Sequence, residues 1–204
     1  QSIMNRSFKV CFPFFLGFTA LTFLVKDHAF FWDTVQLASR HAHWYFENNF
    51  RFLFLPQEFD SGHPPFFGMM LALMWKILGK SLWVSRFMML PFLLGIVFLL
   101  HQLGEHYLGK GKSVYLLLLI SVDPFFIGQS ILVSPDIVLV FGWLLALWSI
   151  IFGRRNVLIV ATLLLAAVSM RGMMRVFSLF LFEIYRQYQD KLTRTSFWKI
   201  FFSY

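Results

Sequence analysis

Apolar residues in this chain fall in long unbroken runs, not in the alternating pattern of half-buried strands. The candidate membrane spans are Phe8–Val25, Leu82–Leu100, Val114–Val133, Pro135–Phe152, Val157–Met170 and Met173–Tyr185. Several approach or reach the roughly 20 residues that a helix needs to cross a hydrocarbon core. Gly172 beside Arg171 predicts a break between the last two, which otherwise read as one long helix. Between the first two spans lies a loop, Lys26–His63, followed by the short apolar segment Pro64–Leu78. That segment contains Lys76 and is too short to span comfortably. It reads as an interfacial helix opened by Pro65 and stopped by Gly79. Without strand-length alternation, a membrane-embedded chain satisfies its backbone as helices. The expected fold is therefore all-α and integral to the membrane, with about six transmembrane helices and interfacial helices in a long first outer loop, residues 26–81.

Composition sharpens this. Of the 204 residues, 58% are hydrophobic and 20% aromatic, with 28 phenylalanines. Charged residues make up 14%, against about a quarter in soluble domains. The net charge of +8 comes from basic residues scattered through loops. They form no stripe, so a nucleic-acid partner is not indicated, and membrane lipids are the expected surroundings. The single cysteine, Cys11, lies in an apolar run and reads as a packing residue. No small-residue cleavage site follows the first run, which reads as an uncleaved span.

Basic residues also orient the chain. Arg6 and Lys9, Lys110 and Lys112, Arg154 and Arg155, and the tail from Arg186 to Lys199 share one side if the spans alternate. That side is then cytoplasmic, with the N-terminus. The other side receives the long loop, the connection at Ser134 and the Met170–Gly172 turn, together with seven of the ten acids. The chain opens on Gln1 and closes on FWKIFFSY, a run that reads as another span beginning. Residues 1–204 are thus expected to be a single transmembrane module from the N-terminal part of a longer protein.

Candidate chemistry lies on the outer side. In DTVQLASRHAHWYFEN the polar residues Asp33, Gln36, Arg40, His43 and Glu47 step by three and four, opposite Val35, Ala38, Ala42 and Tyr45. This predicts an amphipathic helix resting on the membrane surface. Asp33 with Gln36 fits a capping box, and Asp33 also reads as a carboxylate poised at the interface. His28, His41, His43 and His63 share the loop, but no Cys or HExxH pattern supports a metal, and packing or surface roles are favoured. Ser134-Pro135-Asp136 makes a good helix start, which competes with a functional role for Asp136. Asp123 lies deep in an apolar run, where an acid marks a site or a polar cavity unless Pro124 ends the helix there. Arg171 suits a lipid-linked phosphate at headgroup depth, or simply snorkels. In FDSGHPPFFGMMLAL the Pro64-Pro65 step keeps Gly62-His63 extended and aims the helix that follows.

The order of these segments resembles one family. FFWDTVQLASRHAHWYFE, GHPPFFGMMLALMWKILGKSLWVSRFMMLPFLLG, SPDIVLVFGWLLALW and SMRGMM follow one another. The arrangement is similar to the glycosyltransferase-C superfamily, in the bacterial branch related to protein O-mannosyltransferases and lipid A aminoarabinose transferases. The most specific part is residues 63–91. The resemblance implies transfer of a sugar from a polyprenyl-phosphate carrier to a lipid, glycan or protein acceptor at the outer face of the bacterial inner membrane. It implies Asp33 and Asp136 as catalytic acids, with Arg171, His63 and Arg86 binding substrate. Asp33 is followed by Thr34, where relatives often carry a second acid. That departure weakens any metal-bridged mechanism. No cofactor is required, and nothing in the pattern calls for a divalent cation, although the chemistry admits one.

Two readings of other classes compete. A transporter or flippase-like protein requires polar residues at mid-depth in several spans, for which Asp123 is the one candidate. A non-catalytic scaffold requires Asp33 and Asp136 to be helix caps only.

Overall fold

A computed structural model describes residues 2–189, without the side chains of residues 2–6, 33, 37, 187 and 189. The expected basic tail beyond Arg186 and the closing FWKIFFSY run lie outside the described residues.

The described chain is helical. Helix α1 (Ser2–Leu24) leads to a short α2 (Trp32–Thr34), a π-helical turn (Val35–Ser39) and α3 (Arg40–Glu47). Then come α4 (Phe66–Leu78), α5 (Leu82–Leu108), α6 (Ser113–Val122) and α7 (Pro124–Ser130). Finally α8 (Pro135–Ile151), α9 (Arg155–Val168) and α10 (Met170–Gln189) complete the described fold. Helix α5 is the central post, with α1, α6 and α8 packed on it; α9 lies along α8, and α10 touches both. Inside lipid such packing depends on close van der Waals fit between helices, because the solvent is as apolar as the core.

By length and composition two helices cross a membrane, Ser7–Leu24 and Leu82–Leu108. They become three if α6 and α7, bent by 74° at their junction, count as one. Of the six expected spans, the others are shorter or more polar than this criterion asks. Helices α8 and α9 are apolar but only 17 and 14 residues long. Helix α10 has 20 residues but carries Arg171, Arg175, Glu183 and Arg186, so it is amphipathic.

The termini of these helices follow local chemistry. Helix α4 is bounded by Pro65 and by Gly79, whose φ of 94° is one that glycine adopts at little cost. Ser81 caps α5, accepting from the Val84 N–H at 3.3 Å. Helix α5 runs on to Leu108, past the expected Leu100, because the polar residues of its last two turns are satisfied against α6. The Nδ1 of His101 lies 2.8 Å from the Ser113 hydroxyl, which donates to Glu105 at 2.6 Å. Asp123 accepts from the Phe126 N–H at 2.8 Å, with Pro124 at the first position of α7. The deep acid is therefore a helix cap at a bend.

The break between α9 and α10 falls at Ser169, which is extended with φ −163° and ψ 152°. Gly172 contributes differently from a breaker: a Cβ there would collide with the Leu165 carbonyl. Its bare backbone lets α10 start hard against the end of α9.

The segment between α1 and α4 forms a packed layer, with the apolar face of α3 turned onto α4. Ala38, His41, Ala42 and Tyr45 are fully buried, and α3 lies against α4. At the crossing Gly68 faces His41, where a Cβ on the glycine would strike that of the histidine. The indole of Trp75 donates to Ser85 at 2.7 Å, tying α4 to α5. Tyr45 donates to the Leu53 carbonyl at 2.8 Å, and Arg40 to the Glu58 carbonyl at 2.8 Å, so the stretch after α3 is strapped back onto the layer.

Candidate functional site

Helices α8 and α10 both begin on the side where α4 and α5 begin, and their first turns supply the site. Ser134 caps α8: its hydroxyl accepts from the Asp136 N–H at 3.2 Å, with Pro135 at the first helical position. Ser169 does the same for α10, accepting from the Arg171 N–H at 3.2 Å. These two turns bring Asp136 and Arg171 together, with Oδ1 of the acid 3.6 Å from Nη1 of the arginine. Both remain accessible, at 43% and 68% of the side chain. An exposed pair of this kind contributes only about 0–1 kcal/mol to stability, so its consequence is orientation.

His63 and Pro64 close the same pocket. A cavity of about 30 Å³, floored by Phe67 and Leu139, has His63, Asp136, Ser169 and Arg171 around it. Room for about one water describes a narrow cleft between polar groups. Three of the five residues expected from sequence, His63, Asp136 and Arg171, thus converge.

Arg86 serves elsewhere. It is buried on the first turns of α5, and its guanidinium donates to three backbone carbonyls: Ile131, His28 at 2.8 Å and Ala29 at 3.2 Å. One cation therefore ties the stretch leading into α2 to the turn leading into α8. Expected to touch substrate, it is placed as a clamp on the segments that carry Asp33 and Asp136.

The side chain of Asp33 lies outside the described residues. Its backbone is inside α2, whose N-cap is Phe31 with no side-chain cap bond. Gln36, the expected partner in a capping box, instead accepts from Arg40 at 3.3 Å. The backbone of Asp33 lies within the helix and not at its N-cap position. A π-helical turn begins two residues after Asp33, a feature common at functional sites because it re-aims the side chains around it.

Two further residues stand out: His41, read from sequence as a packing or surface histidine, and Arg175, which the sequence reading did not single out. His41 is fully buried, and neither ring nitrogen makes a hydrogen bond of good geometry. Burial pushes its imidazole below the ordinary histidine value, against opposing pulls from the Phe59 backbone and Asp60. Arg175 lies one turn beyond Arg171 on the same face of α10. Its Nη1 is buried without a partner, at a cavity of about 410 Å³ lined by apolar residues such as Leu100, Phe126, Val140 and Trp143. The i, i+4 spacing of the two arginines was the available signal. Among the described residues no three His, Cys, Asp or Glu side chains converge to hold a metal ion.

Residues 62–185 match the family described as dolichyl-phosphate-mannose-protein mannosyltransferase. The chain belongs to that family. It is a membrane glycosyltransferase of the glycosyltransferase-C type, and the family's general substrates are lipid-linked sugar donors with glycan or protein acceptors. The matched stretch contains His63, Arg86, Asp136, Arg171 and Arg175, and begins after Asp33. No curated protein and no solved structure shows significant similarity to the chain.

Proposed function

We propose that the outer cleft binds the phosphate of a polyprenyl-phosphate sugar donor and transfers its sugar with inversion at the anomeric carbon. The observation that carries this reading is the convergence of Asp136, Arg171 and His63 at one cleft. Helix capping explains why each acid or base starts a helix, but gives the two turns no reason to face each other.

In this scheme the acceptor's hydroxyl oxygen attacks the anomeric carbon as the bond from that carbon to the carrier phosphate breaks. The phosphate departs with the bonding electron pair, and the hydroxyl proton passes to the Asp33 carboxylate as general base. Arg171 stabilises the charge accumulating on the leaving phosphate. Asp136 orients the guanidinium through the 3.6 Å contact, and His63 positions donor or acceptor from the opposite wall. Arg86 acts through the backbone, as a positioning residue for both acids. The apolar cavity below Arg175 provides a place for the carrier's chain, with that second guanidinium near its outer end.

The location fits the outer face of a bacterial inner membrane, with the N-terminus cytoplasmic. The transporter alternative loses its main motivation, because Asp123 caps α7. A direct test is donor turnover by Asp33→Asn in the intact protein reconstituted in vesicles. Loss of transfer with retained donor binding is expected. Unchanged transfer removes Asp33 from the chemistry.

A further inference from the structure

At the opposite end of the bundle lie the N-terminal end of α1, which begins at Ser2, and the C-terminal end of α5 at Leu108. Between these ends lies a cavity of about 320 Å³, with the polar groups of Ser7, Gln102, Glu105, His106 and Lys110 around it and Phe152 at one side. It belongs to no part of the outer site.

This cavity has a built wall. Gln102 donates to the Ser7 hydroxyl at 3.2 Å, joining α5 to α1. The α5–α6 turn is fastened by one carboxylate oxygen: Oε1 of Glu105 accepts from the Gly111 N–H at 2.8 Å and from Ser113 at 2.6 Å. Gly104 permits the close approach, since a Cβ there would come within 2.9 Å of the Ser113 Cβ. Both bonds use Oε1, and the same carboxylate lines the cavity. Glu105 and Lys110 line the same space without forming an ion pair with each other. Two opposite charges held apart around one cavity complement a ligand that carries both signs.

The surroundings specify the ligand further. Phe8 and Phe12, tilted by 41° with ring centroids 5.6 Å apart and 57% and 45% exposed, follow Ser7 along α1. Tyr107 and Leu108, in the last turn of α5, are also exposed. A charged pocket near the ends of two long helices, with exposed aromatic residues next along α1, has the shape of a headgroup site with a path for a chain.

We propose that this cavity binds a zwitterionic phospholipid with a primary amine, of the phosphoethanolamine type. Lys110, with a further N–H from His106, takes the phosphate; the carboxylate of Glu105 takes the ammonium; an acyl chain lies along Phe8 and Phe12. The site is a second lipid site on the far side of the membrane from the transfer chemistry.

The test uses the purified, delipidated chain in detergent, with lipid binding read by native mass spectrometry and by the thermal midpoint. Short-chain phosphatidylethanolamine, phosphatidylglycerol and free phosphoethanolamine are the three probes. Glu105→Gln keeps an oxygen for the Gly111 and Ser113 bonds and removes only the charge, and Lys110→Gln alters an exposed side chain. Both variants are expected to fold, as circular dichroism checks, and to bind phosphatidylethanolamine at least tenfold more weakly than the unaltered protein. Phosphatidylglycerol is expected to bind weakly to all three proteins, and free phosphoethanolamine to compete only at far higher concentration. Equal binding of phosphatidylethanolamine by the variants overturns the site. Equal binding of both lipids overturns the ammonium contact, and full competition by free phosphoethanolamine overturns the lipid as its source.

Discussion

Arg171 at the start of α10 holds a guanidinium nitrogen 3.6 Å from the carboxylate of Asp136 at the start of α8, across 35 positions of sequence. Because the pair is exposed, its removal is expected to leave folding nearly unchanged, within about 1 kcal/mol. Its effect on transfer is expected to be large. Arg171→Gln should lower the rate at least tenfold while the thermal midpoint stays within a few degrees, and Arg171→Lys should recover part of the rate. Equal rates for all three proteins would remove the phosphate role from this residue.

Arg86 gives the reverse pattern. Its guanidinium serves three backbone carbonyls, and each buried group left without a partner costs about 1–3 kcal/mol. Arg86→Ala is expected to lower the thermal midpoint clearly, with any loss of transfer following from lost structure. A variant with normal stability and a raised KM for the donor would instead make Arg86 a substrate contact.

His41 makes the outer layer sensitive to acid. Its folded pKa lies below the ordinary value of 6.5 because of burial. The unfolded chain therefore binds the proton more readily, and stability is lost as pH falls below about 6.5. Replacing the ring by an apolar side chain of similar bulk, His41→Leu, is expected to flatten that dependence between pH 7 and 5 in thermal unfolding. A slope unchanged by the substitution would assign the acid sensitivity to another group.

Gly172 tests how α10 is seated. A methyl at this position meets the Leu165 carbonyl, and overpacking of this kind costs typically 1–3 kcal/mol. Gly172→Ala is expected to lower the thermal midpoint and also to reduce transfer, since Arg171 is carried by the same turn. Wild-type stability in the alanine variant would contradict the close approach.

The legible parts of this fold were those written in short-range chemistry. Ser134-Pro135-Asp136 and the Pro65–Gly79 bracket fix helix ends through groups within a few residues, and both appear where the sequence placed them. The extension of α5 was hidden because His101, Glu105 and His106 read as loop polarity until Ser113 comes beside them. His41 was read only as a packing or surface histidine, and the choice between the two depended on a neighbour: the small Gly68 on α4 lets the face that carries Ala38, His41 and Ala42 pack inward. Asp136, Arg171 and His63 were each singled out by the resemblance, and no local pattern could supply their convergence.

The grip of Arg86 on three carbonyls has a consequence for how the protein meets different bilayers. The stretch approaching Asp33 and the turn approaching Asp136 are joined through one side chain rooted on α5. Their spacing is thus fixed inside the protein and not by the lipid around it. Bilayers of unequal hydrophobic thickness can tilt the helices without pulling the two backbone segments apart, so the geometry of the outer cleft should travel unchanged between thin and thick membranes.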